Sequence, residues 1–194
     1  MVYSIVTTFF WLFFKLFHGI EVIGRENIPN GVKILAVCNH MSHFDPPVAS
    51  VAVPRQMHYF AKKELFANKY FGAFIRQLNA HPVARGEGDI RAIRDSLAII
   101  NGGNPLMVFP QGHRNGDWAK AGNGAAFLVK KSGAQVMPVC IRGTDKAFPP
   151  GAKFPRLFTK IRVAIGKPFT MGESESLDDF TKRIATTVES LLPA

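Results

Sequence analysis

The stretch VKILAVCNHMSHFDPP, residues 32–47, joins an apolar half to a polar half. The first half is rich in β-branched residues and almost continuously apolar, which is typical of a strand covered on both faces of its sheet. The second half ends in Asp45 and two prolines, which favours the start of a helix because proline is tolerated in the first helical turn. The stretch therefore predicts a buried strand, a polar loop, and a helix with Asp45 as its N-cap.

The same alternation continues along the chain. Strand patterns occur at 57–61 and in PLMVFPQG, QVMPVCIRG and KIRVAIGKPF. Helix patterns occur in DIRAIRDSLAIIN, where Ile90, Ile93, Leu97 and Ile100 form one stripe, and in SLDDFTKRIATTVESLL, which Ser176 caps. We therefore predict an α/β fold, a single-domain mixed sheet with helices packed on it, over residues 19–194.

Composition narrows the class of protein. A chain of 194 residues with 47% hydrophobic content suits one domain with a sizeable core. Cys38 and Cys140 lie inside apolar runs, so we expect buried free thiols in a reducing compartment. The formal charge of +10 could attract nucleic acid, an anionic membrane or acidic soluble partners. The cations are scattered without a basic block, which leaves nucleic-acid binding unsupported.

The N-terminus strengthens the membrane interpretation. Residues 1–14 carry no charge, but the apolar run is short for a spanning helix and lacks the basic start and cleavage site of a signal peptide. We predict a membrane-associating helix over 1–18 that dips into one leaflet, with Lys15 and His18 at the level of the headgroups. The alternative is a helix docked on the protein core.

Two polar stretches, NHMSHFD and FPQGHR, follow buried strands, where α/β sheets carry their ligand sites. A metal held by His40, His43 and Asp45 is disfavoured, because the prolines place the helix start after Asp45 and no further ligand follows at a usual spacing. Cys38 beside His40 is a weak nucleophile candidate because burial makes a thiol inert. Ser42 lacks the elbow sequence that activates a hydroxyl.

A base and its orienting group remain. If the loop folds back, the Asp45 carboxylate can accept a hydrogen bond from one ring nitrogen of His40 and leave the other nitrogen as a general base. The competing interpretation is that Asp45 only caps a helix and His40 only ends a strand. Spacing alone leaves the two interpretations open.

Four sequence blocks resemble those of the glycerolipid acyltransferase family. NHMSHFD resembles the H-x-x-x-x-D block, and FPQGHR resembles the F-P-E-G-T-R block. FIRQLNAHPVAR and VMPVCIRG resemble the second and fourth blocks. The four occur in order over residues 39–143, and the group with the most similar pattern is that of the bacterial 1-acyl-sn-glycerol-3-phosphate acyltransferases.

The resemblance implies a mechanism without a bound cofactor or metal. His40, oriented by Asp45, would take the proton of a lysophospholipid hydroxyl, which attacks the thioester of acyl-CoA or acyl-carrier protein directly. The acceptor would be lysophosphatidic acid. Backbone N–H groups around Gly112 would stabilise the oxyanion, and one good donor is worth roughly 3–4 kcal/mol.

The resemblance also implies how the acceptor phosphate is bound. Arg85 and Arg114 fall at the arginines of the second and third blocks, and arginine suits bidentate phosphate contact; Lys120 is a weaker candidate. The third block departs from the family at two positions, with Gln111 in place of glutamate and His113 in place of threonine. These departures put the identity of the acceptor in question more than the type of reaction.

The expectation is therefore an acyltransferase on the cytoplasmic face of a cell inner membrane or plasma membrane. One alternative is an acyltransferase for another lysolipid, such as a lyso-ornithine lipid or lysophosphatidylglycerol. The other is a basic membrane-binding or nucleic-acid-binding module without catalysis.

Overall fold

The computed structural model of the protein describes residues 1–83, 90–112 and 116–192. At its centre lies a seven-stranded sheet in the order β1-β7-β6-β2-β5-β3-β4. The strands are β1 Glu21–Ile23, β2 Ile34–Cys38, β3 His58–Lys62, β4 Ala80–Val83, β5 Leu106–Val108, β6 Gln135–Arg142 and β7 Arg162–Ile165. Neighbouring strands run parallel except β6 and β7, which are antiparallel. The predicted mixed α/β sheet is confirmed.

Helices cover both faces of this sheet. They are α1 Val2–His18, α2 Asp45–Ala52, α3 Lys69–Gln77, α4 Ile90–Asn101, α5 Gly124–Ser132, α6 Thr144–Ala147 and α7 Leu177–Ser190, with 3₁₀ turns at Arg25–Asn27, Lys63–Phe66 and Trp118–Lys120. Helices α1 and α2 contribute to the core on one face, and α4, α5 and α7 contribute to the core on the other. All five residues of β2 are buried between these layers, as its continuous apolar sequence predicts.

Two local predictions need correction. Asp45 is the first residue of α2 rather than its N-cap, which is Phe44, and its carboxylate turns back towards the preceding loop. Ile90, on the predicted apolar stripe of α4, is 81% exposed, because it begins the helix beyond the edge of the core that buries Ile100. The cap of α7 is confirmed, since Ser176 Oγ accepts from the Asp179 amide at 3.1 Å.

Helix α1 docks on the core with one face and leaves the other exposed. Tyr3, Phe14 and His18 are buried. On the opposite face, Ile5, Phe9, Leu12 and Leu16 are all more than half exposed at helical spacing, and we call this set the α1 stripe. The helix therefore docks on the core, and its association with a membrane through the exposed face stays a prediction.

His18 does not lie at the surface, so its predicted place among headgroups is wrong. Its side chain is 2% exposed, and Nδ1 lies 3.0 Å from the Thr159 carbonyl oxygen. Burial lowers the pKa of His18, so the ring is suited to packing in its neutral form. Lys15, on the preceding turn of α1, is exposed. Among the described residues, no helix has the length and apolarity that crossing a membrane requires.

Candidate active site

Three adjacent parallel strands end at one edge of the sheet and bring distant residues together. Strand β2 lies between β5 and β6. The loop after β2 carries His40, the loop after β5 carries Gln111, and the turn after β6 carries Thr144. The two polar stretches predicted at strand ends therefore lie together, and the turn after β6 lies beside them.

The contact expected between His40 and Asp45 is present. His40 Nδ1 lies 2.8 Å from Asp45 Oδ2. The His40 side chain is 18% exposed, whereas Asp45 is fully buried. A carboxylate on Nδ1 favours the tautomer with its proton there and leaves Nε2 as an acceptor. This is the arrangement that a general base requires.

The Asp45 carboxylate is held by four donors. Besides His40, Oδ2 accepts from the amides of Met41 at 2.6 Å and Ser42 at 2.7 Å. Oδ1 accepts from the Thr144 hydroxyl at 2.6 Å. Because a buried carboxylate is costly unless its oxygens are satisfied, these contacts explain how Asp45 tolerates complete burial. They also fix the plane of the carboxylate against His40.

The turn that delivers Thr144 depends on a glycine. Gly143 has φ of +90°, and a Cβ at that position would collide with the carbonyl oxygen of Lys160. Only glycine fits both constraints. The sequence IRGT at the end of β6 therefore places a fully buried threonine beside a carboxylate 99 residues away.

Gln111 ties the β5 loop to the β2 loop. Its Oε1 accepts from the His40 amide at 2.7 Å, and its Nε2 donates to the Gly116 carbonyl. The ring of Phe109 lies against the imidazole, with the ring centroids 4.6 Å apart. Gln111 thus supports the backbone of His40, and it uses both a donor and an acceptor to do so.

We predict that Gln111→Glu, although it introduces the glutamate of the F-P-E-G-T-R block that this stretch resembles, destabilises this protein. One carboxylate oxygen can still accept from the His40 amide. The other would replace the Nε2 donor and face the Gly116 carbonyl oxygen, so two acceptors would lie against each other. We expect a loss of about 1–3 kcal/mol in the free energy of unfolding at neutral pH, measured by urea denaturation. The deficit should shrink towards about pH 4, where a protonated glutamate regains a donor.

The matched control for this prediction is Gln77→Glu, at an exposed position in the last turn of α3. It should change the free energy of unfolding by less than about 0.5 kcal/mol. A Gln111→Glu protein as stable as wild type at neutral pH would contradict the assigned role of the amide nitrogen.

The two alternative nucleophiles are both sequestered. Cys38 is completely buried, and burial raises its pKa well above the usual value, with the nearby charge of Asp45 adding to the effect. Ser42 is also fully buried, and its hydroxyl donates to the Phe148 carbonyl at 2.7 Å. Neither side chain is placed to attack a substrate.

The remaining predicted residues have mixed outcomes. The Gly112 amide donates to the Phe109 carbonyl at 3.0 Å and closes a turn at φ of +68°, so this N–H is not directed at an oxyanion. Arg85, His113 and Arg114 lie outside the described residues, and their roles stay predictions. Lys120 is exposed at the end of a 3₁₀ turn.

Sequence reasoning missed three residues that build this site. Thr144 and Phe109 contact Asp45 and His40 as described, and Asn39 joins β2 to β6 by accepting from the Ile141 amide at 2.7 Å and donating to its carbonyl at 2.8 Å. The available signal was their position, since each follows directly or closely on a buried strand. Within the described residues, no group of three or more His, Cys, Asp or Glu side chains is arranged to hold a metal.

Comparison with known proteins identifies the family. The Acyltransferase family profile matches residues 19–142. The chain is 29% identical to the 1-acyl-sn-glycerol-3-phosphate acyltransferase of Bacillus subtilis (strain 168) over 176 residues, which cover 89% of this chain and 84% of the relative. It is 33% identical to the enzyme of that name from Streptococcus pneumoniae (strain ATCC BAA-255 / R6) over 121 residues, which cover 61% of this chain and 45% of that protein.

A solved structure extends the similarity to the whole fold. The crystal structure of the 1-acyl-sn-glycerophosphate (LPA) acyltransferase PlsC from Thermotoga maritima matches with a TM-score of 0.80 at 28% identity. The match covers 97% of this chain and 77% of that chain. The chain therefore belongs to the Acyltransferase family and is an enzyme of its PlsC-like, 1-acyl-sn-glycerol-3-phosphate acyltransferase type.

Proposed function

We propose that this enzyme moves an acyl group from acyl-CoA or acyl-carrier protein to the sn-2 hydroxyl of 1-acyl-sn-glycerol-3-phosphate, giving phosphatidic acid. The observation that carries the proposal is the 2.8 Å contact between His40 Nδ1 and a buried Asp45 carboxylate that accepts from three further donors. The names of the similar proteins support lysophosphatidic acid as the acceptor.

His40 acts as the general base in this mechanism. Its Nε2 takes the proton of the acceptor hydroxyl as the oxygen attacks the thioester carbonyl carbon. The tetrahedral intermediate collapses with cleavage of the carbon–sulfur bond, and the leaving thiolate takes the proton back from Nε2. The Asp45 carboxylate stabilises the imidazolium that exists between these two steps. No acyl-enzyme forms, in keeping with the burial of Cys38 and Ser42.

The acceptor carries a phosphate that needs fixed cations. Arg85 and Arg114 are the proposed ligands, since guanidinium groups can contact two phosphate oxygens at once. Gln111 does not add a negative charge beside this phosphate, and it holds the His40 backbone through its amide. The proposal therefore assigns Gln111 a supporting role at the base rather than direct contact with the acceptor.

The proposed location is the cytoplasmic face of the inner or plasma membrane. The α1 stripe offers exposed apolar side chains, and the formal charge of +10 suits anionic headgroups. Helix α1 also lies close to the site, because Phe13 and Phe14 contact Phe44 at the start of α2. A lipid acceptor and the catalytic edge would then meet at the membrane surface.

The direct test is thiol release from acyl-CoA by the purified protein in detergent, with and without lysophosphatidic acid. We expect release that depends on the acceptor, with phosphatidic acid as the product, and acyl-carrier protein thioesters should be tried in parallel. Release without an acceptor would indicate a thioesterase and contradict the proposal. Transfer to lyso-ornithine lipid or lysophosphatidylglycerol in preference to lysophosphatidic acid would reassign the acceptor.

A further inference from the structure

Residues 149–158, in the loop between α6 and β7, expose large apolar side chains that lie mostly outside the core. Phe154 is 80% exposed, Phe158 is 81% exposed and Leu157 is 43% exposed. Side chains of this size usually bury most of their surface in a soluble protein. A cluster of three on one short loop indicates a surface that is covered when the protein functions.

The backbone of this loop is held in place despite strain. Phe158 has φ of +61°, a left-handed conformation that glycine or asparagine adopts more readily than phenylalanine. Its amide donates to the Phe17 carbonyl at 2.7 Å, and the Arg156 amide donates to the Ala147 carbonyl at 2.6 Å. The ring is therefore exposed at a position where phenylalanine is unfavourable. We expect such a residue to contact something other than the rest of this chain.

The charge of the surrounding sequence identifies the partner. Between Asp145 and Glu173 there is no acidic residue, while the chain carries Lys146, Lys153, Arg156, Lys160, Arg162 and Lys167. Lys160 and Arg162 pair with Glu21, whereas Lys153 and Arg156 are exposed within the loop itself. Aromatic side chains interleaved with cations match the interface of an anionic bilayer, where rings enter the acyl boundary and cations reach the phosphates.

The loop also continues surfaces already described. The rings of Phe158 and Phe17 lie 6.2 Å apart, so the loop adjoins the end of α1. Immediately before the loop, the Phe148 ring packs against the Phe44 ring with centroids 5.0 Å apart, and the Phe148 carbonyl accepts from the Ser42 hydroxyl. The loop thus bridges α1 and the polar stretch that carries the candidate base.

We propose that the 149–158 loop is a second membrane-binding element, which inserts Phe154, Leu157 and Phe158 into an anionic phospholipid bilayer. Together with α1 it would fix the orientation of the protein, because one helix alone leaves the molecule free to roll about the helix axis. The edge that carries His40 then faces the leaflet that holds the acceptor. This goes beyond the proposed function, which assigns membrane contact to α1.

The test is sedimentation of the full chain with vesicles of phosphatidylcholine alone or mixed equally with phosphatidylglycerol. Phe154→Ser combined with Phe158→Asn should lower the apparent partition coefficient for both vesicle types by about tenfold or more, given the apolar area of two rings. Asparagine suits the backbone of position 158, so folding should be preserved. Lys153→Gln with Arg156→Gln should weaken binding about tenfold, and only to the anionic vesicles.

Two further variants make the outcome decisive. Ile90→Ser removes a side chain that is 81% exposed on α4, which packs on the opposite face of the sheet from α1, and it should leave binding unchanged. Because Cys38 and Cys140 are buried, Phe154→Cys can carry an environment-sensitive fluorophore, whose emission should shift to shorter wavelength on anionic vesicles. The same label at Ile90→Cys should not respond.

Several results would overturn the inference. One is that the ring variant binds vesicles as the wild type does. Another is that the ring variant changes the oligomeric state and not the binding. A third is that only Lys153→Gln with Arg156→Gln weakens binding, which would indicate an acidic protein partner. Activity towards detergent-dispersed lysophosphatidic acid is a separate readout. The variant that carries Phe154→Ser and Phe158→Asn should keep that activity. An inactive wild-type protein would refute the proposed function and would not bear on the loop.

Discussion

Replacing His40 with alanine is expected to lower acyl transfer by about a hundredfold to ten-thousandfold, the usual contribution of a general base. In the proposed mechanism, the buried carboxylate of Asp45 fixes Nδ1 and leaves Nε2 to accept the proton of the acceptor hydroxyl. Without the imidazole, the hydroxyl must attack while still protonated or lose its proton to water. The measurement is acceptor-dependent thiol release from acyl-CoA at saturating lysophosphatidic acid.

The fold should survive this change. The His40 side chain is partly exposed, and Asp45 keeps the donors from Met41, Ser42 and Thr144 after the ring is removed. Added imidazole should restore part of the activity, because the vacated space is open to solvent. His58→Gln is the matched control, since His58 begins β3 at the opposite edge of the sheet. Near-normal turnover by His40→Ala would exclude the mechanism.

Local sequence patterns predicted the architecture well because they report on burial. The continuous apolar run of β2 and the stripe of α7 each describe what surrounds a segment, and the structure buries both. The position of the site followed from a general property of α/β sheets, that loops at the carboxyl ends of adjacent strands converge. These two kinds of reasoning together placed His40 and Gln111 at one edge.

What escaped prediction depends on contacts between distant parts of the chain. Thr144 donates to a carboxylate 99 residues away, and no local pattern marks such a pair. The burial of His18 depends on three rings that pack around it. Phe13 and Phe14 belong to α1, and Phe44 is the N-cap of α2, far along the chain. Asp45 followed by two prolines is typical of an N-cap. In the structure, the amides of Met41 and Ser42 in the preceding loop donate to Asp45 Oδ2 instead.

Asp45→Asn is expected to leave the fold intact and to lower acyl transfer by about a hundredfold or more, because the imidazolium in the transition state loses the negative charge that stabilises it. The amide can adopt only one orientation. At the Oδ2 position three donors converge, from His40, Met41 and Ser42, so the carbonyl oxygen must occupy it. The NH₂ group then faces the Thr144 hydroxyl, which can turn to accept.

This orientation separates charge from geometry. His40 keeps its hydrogen bond and its tautomer, so the loss of activity reports the missing negative charge opposite the imidazolium in the transition state. Asp45→Ala should behave differently, because it leaves the buried amide of Ser42 and the partly buried amide of Met41 without an acceptor. A buried donor without a partner costs about 1–3 kcal/mol. We expect that variant to unfold at markedly lower denaturant concentration. Urea denaturation and thiol release, measured on both variants, distinguish the two effects. An Asn variant that unfolds like the Ala variant would refute the single-orientation argument, and one that retains full activity would refute a role for the charge.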